Sequence, residues 1–356
     1  VNNLFLEYLA CPVCGGAFKA LETSGNIETG LLTCLKCKRD YPVIRGIPRL
    51  LPDSLIHILA SQIPEDMNKF NFTFPLSERT HKDDFETEDF LKKQKDTMNA
   101  FSYEWNEFTE LTNEFTDNEY VRTLAPYPPD IVKNKTVLEA GTGVGFFLER
   151  MNHYGASKLI GMNLGLDVET ARKNTSKYDN VLIVQGDIFH LPFKPQFDFV
   201  ISHGVVHHLP EPEKGFNNLV SKVKKGGEVF IWVYGNDPVV PIIEMLRTVF
   251  SIVPKPIANI LSLPFAFILS MSKYLYITLK HLPFCSKLAE KVPYKQYAVR
   301  TFREMHCTIM DKLFVPVVNY YDYNELEDWF KKADLSEYKI SSRDGNSWSC
   351  YGVKKK

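Results

Sequence analysis

The 356-residue sequence predicts an α/β fold, a doubly wound and mostly parallel sheet preceded by a small metal ribbon, on three observations. Between Thr136 and Tyr234, short apolar, β-branched runs alternate with amphipathic stretches, the pattern of strand–helix–strand units. A glycine-rich turn, Gly141-Thr-Gly143-Val-Gly145, follows the first of those runs. Near the start, Cys11-Pro-Val-Cys14 and Cys34-Leu-Lys-Cys37 enclose 19 residues.

Composition bounds the rest. The length suits about two domains, and 44% hydrophobic with 24% charged residues is ordinary for a globular chain, which excludes wholesale disorder. A formal net charge of −1 offers no global attraction to a phosphate backbone, so nucleic acid is disfavoured as a partner. Four of the seven cysteines fall in the two pairs, which argues for metal and against a disulfide framework. Val1–Leu6 carry neither a basic start nor an apolar core, so no signal peptide is expected and the cytoplasm is the expected compartment.

Five zones follow in order. Residues 1–53 form the ribbon. Four thiolates at two-knuckle spacing close a tetrahedron around Zn²⁺ and leave no open position, so Cys11, Cys14, Cys34 and Cys37 should hold a structural ion. Residues 54–125 are acidic, helix-prone and aromatic, a linker and capping segment. Residues 126–237 carry strands at Thr136–Glu139, Lys158–Asn163, Val181–Gln185, Phe197–Ser202 and Glu228–Tyr234, with a helix opening near Phe146 and Pro212 in the first turn of another. Residues 238–300 are a hydrophobic insertion. Its stretch Ile257–Leu279 has one charge, Lys273, and is interrupted by Pro264; a buried or lid-forming helical hairpin is expected, with docking at the inner face of a membrane through 239–295 as the alternative and a true span as a third. Residues 301–356 close with a helix near Asn324–Ala333 and strands at Tyr338–Ser341 and Ser347–Val353.

Two stretches resemble known families. Leu9 to Gly16 and Cys37 to Pro52 resemble the zinc-ribbon proteins that activate methyltransferases, here fused to the same chain. Val137-Leu-Glu139-Ala-Gly141-Thr-Gly143-Val-Gly145 has Gly-x-Gly-x-Gly spacing with an acidic residue two positions ahead, unlike the dinucleotide fingerprint, and resembles the first motif of class I S-adenosylmethionine-dependent methyltransferases. Gln185-Gly186-Asp187-Ile188, the segment Phe197–Pro212 and Lys225–Ile231 resemble that family's later segments, in order. The resemblance implies a seven-stranded Rossmann-like sheet and S-adenosyl-L-methionine bound by Glu139, Gly141, Gly143, Gly145, Asp187, Ile188 and His203, under an aromatic cap with Tyr103 and Trp105. One position departs from it. Where the family places a carboxylate for the ribose hydroxyls stands Asn163, which implies weaker cofactor binding or a cofactor variant, with Asp167 in the following turn as a minor candidate to compensate.

Methyl transfer needs in-line geometry, desolvation and often a base. His306, His207 and His208 are the candidate catalytic residues, with Asp311 and Tyr320–Tyr323 downstream of the insertion resembling an acceptor-side segment. The hydrophobic insertion makes a small apolar or lipid-linked acceptor the expected substrate. A ribosomal- or transfer-RNA acceptor, and a non-enzymatic scaffold, are the competing readings.

Overall fold

The computed structural model describes residues 3–20, 27–72, 76–108 and 113–356. Among the described residues, eleven strands make one continuous sheet: β1 (Phe18–Ala20), β2 (Thr29–Cys34), β3 (Asp40–Ile44), β4 (Ile47–Leu50), β5 (Thr136–Ala140), β6 (Lys158–Asn163), β7 (Val181–Gly186), β8 (Phe197–His203), β9 (Val223–Tyr234), β10 (Leu335–Arg343) and β11 (Ser347–Lys354). Their order is β1-β2-β3-β4-β7-β6-β5-β8-β9-β11-β10. The run from β4 to β9 is parallel, and both ends of the sheet are antiparallel.

The central strands are apolar without a break because both faces are covered. Leu138, Ile160, Leu182 and Val200 point into one core, while their neighbours Val137, Leu159, Val181 and Phe199 point into the other. On either side of β5 the chain order reverses, toward β6 and toward β8. The crevice beyond the carboxyl ends of these strands is where doubly wound sheets bind ligands.

The expected seven-stranded sheet is extended here by the ribbon. Leu50 pairs with Gly186 and Arg49 with Gln185, so β4 joins β7 in parallel. The side chain of Arg49 is fully buried at this seam; it donates to Gln185 Oε1 at 3.0 Å and pairs with the Glu169 carboxylate. β9 begins at Val223, five residues before the expected Glu228. Gly226, at φ 73°, lies in a register shift opposite Phe197–Phe199, and that irregularity masks the strand in the sequence.

In the insertion, helices Val240–Ile252 and Lys255–His281 each pack on helix Phe302–Phe314, and not as the expected hairpin against one another. The longer helix is not buried, contrary to the first expectation. Ala258, Ser262, Ala266 and Ser270 face inward, whereas Ile257, Ile260, Phe267, Ile268, Met271 and Tyr274 are more than half exposed. Small residues permit a close approach to Phe302–Phe314, and that approach leaves the large apolar chains outside. By length and composition this helix could cross a membrane. An exposed apolar face of this extent promotes association. The triple variant Ile260→Ser, Phe267→Ser, Ile268→Ser is expected to lower concentration-dependent self-association by light scattering, with stability changed by less than about 0.5 kcal/mol in a thermal melt.

Candidate active site

The cleft is built at the carboxyl ends of β5, β6, β7 and β8. β5 ends in the glycine turn, which enters helix Phe146–His153. Gly143 has φ 52°, and a Cβ there would lie 3.1 Å from the Trp105 indole, so the turn passes directly beneath that ring. The roof is helix Glu88–Glu107, started by the Thr87 hydroxyl accepting from the Phe90 N–H. Gln94, Thr97, Met98, Phe101, Glu104 and Trp105 recur at helical spacing and all line the cleft.

In one half, Glu139 accepts from the Thr142 hydroxyl at 2.7 Å, and burial pushes its pKa up to about 8. Asp187 accepts from Gln94 Nε2 at 2.6 Å and contacts His190 Nδ1 at 2.8 Å. Burial opposes charge on His190, but hydrogen bonds and charge from Asp187, Glu86 and Asp83 outweigh it and raise its pKa. His190, Asp83 and Glu86 converge closely enough to hold an ion, yet they already engage one another and Ser54.

The other half is formed by β8, β9 and helix Phe302–Phe314. Tyr234 donates its hydroxyl to Asp311, whose other oxygen lies 4.0 Å from His208 Nε2. His208 donates Nδ1–H to the Val317 carbonyl at 2.8 Å, which leaves Nε2 as its acceptor face. Glu104 accepts a 3.3 Å bond from the Cys307 thiol; burial, reinforced by Asp311, raises its pKa well above the carboxylate range. His203 stacks on Phe147, and burial lowers its pKa to about 4.

Trp105, Glu139, Gly141, Gly143, Asn163, Asp187, Ile188, His203 and His208 line this cleft. Four expected site residues do not. Gly145 is the left-handed residue before helix Phe146–His153 and packs on Ala171 and Thr175. Tyr103 turns to the opposite side of its helix, toward the Asn259 amide. His207 is fully buried among His208, Trp232 and Tyr234. His306 engages Ser262 Oγ at 2.7 Å and the Asn259 carbonyl, with its ring edge on Phe108, so it braces the insertion. Glu104, Cys307 and Tyr234 were missed, although the three-and-four spacing from Gln94 to Trp105 is visible in the sequence.

The cleft fits a polar cofactor. Gln94 Oε1, Thr97 Oγ1, Glu104 Oε2, Asp167 Oδ1 and His208 Nε2 are buried there without hydrogen-bond partners, a set that a ligand would satisfy.

The ribbon fits zinc. Cys11–Cys37 and Cys14–Cys34 sulfurs are 3.6 and 3.5 Å apart, against about 3.8 Å for the edge of a tetrahedron with Zn–S near ~2.3 Å. The residue after each pair, Gly15 and Lys38, has positive φ and donates its N–H to the carbonyl of the first cysteine, Cys11 or Cys34. A Cβ on Gly16 would sit 2.8 Å from Cys34 Sγ, so that position needs glycine.

Residues 138–231 match the Methyltransferase domain family, and residues 2–46 match the Trm112p-like protein family. The chain thus joins a methyltransferase domain to a Trm112-like zinc ribbon. Among curated proteins it is similar to tRNA U34 carboxymethyltransferase of Campylobacter hominis, at 27% identity over 36% of this chain and 49% of that protein. The protein of the same name from Pseudoalteromonas translucida is 32% identical over 33% of this chain and 36% of its own length. The chain therefore spans a third to a half of these relatives. Among solved structures, the complex of the Haloferax volcanii Trm112 methyltransferase activator with a methyltransferase aligns over 73% of this chain and 98% of that one, at 14% identity and a TM-score of 0.43. The curated relatives are named for tRNA, which overturns both the disfavouring of nucleic acid and the expectation of a small or lipid-linked acceptor. Net charge is a whole-chain sum and is blind to local surfaces.

Because β2 and β3 carry the ribbon into the main sheet, loss of zinc should be felt beyond it. Cys34→Ser is expected to abolish zinc content by metal analysis and to lower the melting temperature of the whole chain; an unchanged melt with zinc lost would contradict a structural ion.

Proposed function

We propose that this chain is an S-adenosylmethionine-dependent methyltransferase whose acceptor is RNA, with tRNA the first candidate. The observation that carries the reading is the cleft at the switch point, lined by buried unpartnered polar atoms in both halves, one of which is built around Asp311. The matched methyltransferase domain, the Trm112p-like ribbon and the tRNA-modifying relatives support it.

When bound, S-adenosylmethionine supplies an electrophilic methyl group on a sulfonium sulfur. Glu139, Asp187 and the Gly141–Gly143 turn would hold it, with Trp105 and Phe101 excluding water from above. On the acceptor side, Asp311 takes the proton of the incoming nucleophile, and the Tyr234 hydroxyl fixes the carboxylate's orientation. Glu104, held protonated, offers a hydrogen-bond donor at Oε2 to the acceptor. His208 Nε2 is a second acceptor on the same wall.

Incubation with methyl-labelled S-adenosylmethionine and separated tRNA, ribosomal RNA and lipid fractions is expected to label tRNA, with the product nucleoside identified by mass spectrometry. Label confined to lipid, or absent from all RNA, would reject the acceptor. Asp311→Asn is expected to slow single-turnover transfer by about a hundredfold or more while cofactor affinity holds. His306→Ala should leave the rate nearly unchanged.

A further inference from the structure

We propose that Asp167, positioned by Asn163 and given room by Gly165, is the carboxylate that binds the ribose diol of the nucleoside cofactor, displaced four residues from the end of β6. The inference rests on the cofactor reading above and specifies one of its contacts.

At the end of β6 the side chain is the neutral amide Asn163, and it does not act alone. Its Nδ2 donates to Asp167 Oδ2. Asp167 precedes helix Val168–Thr175, is 1% exposed and lines the cleft together with Asn163, Leu164 and Gly165. Its second oxygen, Oδ1, has no hydrogen-bond partner, and neither does the nearby Ser102 hydroxyl on the roof helix. A buried carboxylate oxygen left unsatisfied is costly unless a donor arrives. Two vicinal hydroxyls are donors of that kind, and a carboxylate receives them with both oxygens.

Gly165 supplies the space. A Cβ there would lie 2.7 Å from Asp167 Oδ1 and would collide with Ser102 Oγ. Any side chain at 165 would therefore occupy the volume into which these two polar atoms point. Asn163 then has a definite role: its amide hydrogen bond orients Asp167, which an aspartate at 163 would repel.

Burial raises the pKa of Asp167 to about 7, relieved in part by its own backbone N–H, with no neighbouring charge among the causes. The ionisable groups lining the cleft around it are Glu104 on the roof helix, Glu139 on β5, Asp187 after β7 and His203 on β8, with Glu119, Arg122, Arg300, Glu304, Asp311, Lys312 and Asp344 on its far wall. A diol that donates to the ionised form binds better as pH rises through that value.

The test is calorimetric titration of the full zinc-loaded chain with S-adenosylhomocysteine and with its 2′-deoxy analogue. For the wild type, the analogue is expected to bind at least tenfold more weakly. Asp167→Asn should lose at least tenfold affinity for S-adenosylhomocysteine yet discriminate little between the two ligands, while melting no lower than wild type because a buried charge is gone. Asn163→Asp should weaken binding. Affinity of the wild type should rise severalfold between pH 6 and pH 8, and the rise should flatten in Asp167→Asn. Retained affinity in Asp167→Asn, full discrimination against the analogue in that variant, or tighter binding by Asn163→Asp would overturn the assignment alone. Failure of the wild type to bind either ligand would overturn the cofactor reading itself.

Discussion

The parallel pairing of β4 with β7 is the constraint on which the rest of the structure depends. It is only two residue pairs long, and Arg49 is buried within it. A guanidinium out of water is tolerable only while Gln185 and Glu169 both hold it; removing a partner from a buried pair costs about 3–5 kcal/mol, nearer the lower figure here because Glu169 keeps some water. Directly past the seam, Gly186 leads to Asp187, and past β4 the chain enters helix Asp53–Gln62. Arg39 pairs with Asp53 at 2.7 Å, Ser54 bonds Glu86, and Asp83 reaches Asp187 through His190. The ribbon therefore fixes the position of a cleft carboxylate through a continuous set of hydrogen bonds, which gives a structural zinc ion influence on a site it does not touch.

How much of this was legible in the sequence follows from how local each cause is. The cysteine pairs announce their geometry because a knuckle is set by residues within five positions of each other. The central strands are readable because burial on both faces makes them uninterrupted apolar runs, and β6 matches its expected ends at Lys158 and Asn163. The β4–β7 seam is not readable: two residue pairs between segments about 135 residues apart leave no periodic trace. Nor is the choice between Tyr103 and Glu104 obvious, since adjacent residues on a helix point about 100° apart and an aromatic is the more conspicuous candidate. His306 and Cys307 repeat the lesson on helix Phe302–Phe314, where the thiol faces the cleft and the imidazole faces the insertion.

The same two helices explain how the insertion bears on the site, whose edge it lines with Tyr297 and Arg300. Its long helix holds Phe302–Phe314 through Ser262, Asn259 and Ser270, and that contact aims Cys307 at Glu104 on the roof helix and Asp311 at Tyr234 on β9. At the end of the insertion, Arg300 binds Glu119, which also binds Arg122, closing the cleft's edge with paired charges. The insertion is not buried, and its long helix packs on Phe302–Phe314 through its small residues.

The electrostatics of the cleft tie these observations together. Glu104, Glu139 and Asp167 are all buried acids whose pKa values are raised, and burial is the first cause in each case. An acid with a raised folded-state pKa stabilises the fold most at low pH; that contribution is lost as pH climbs from the ordinary carboxylate value to the raised one, here toward about 7 for Asp167 and about 8 for Glu139. At neutral pH the empty cleft is thus less stable than an apolar one of the same shape. Evolution tolerates such a cost at sites where a ligand recovers it. A ligand with a positive centre and several donors recovers it for Glu139 and Asp167, whose ionised forms it favours. Glu104 is different: it gains most by staying protonated and donating. Burial shifts all three acids the same way, so what separates them is the partner each leaves open: Asp167 Oδ1 and Glu104 Oε2 are unpartnered, while Glu139 already accepts from Thr142.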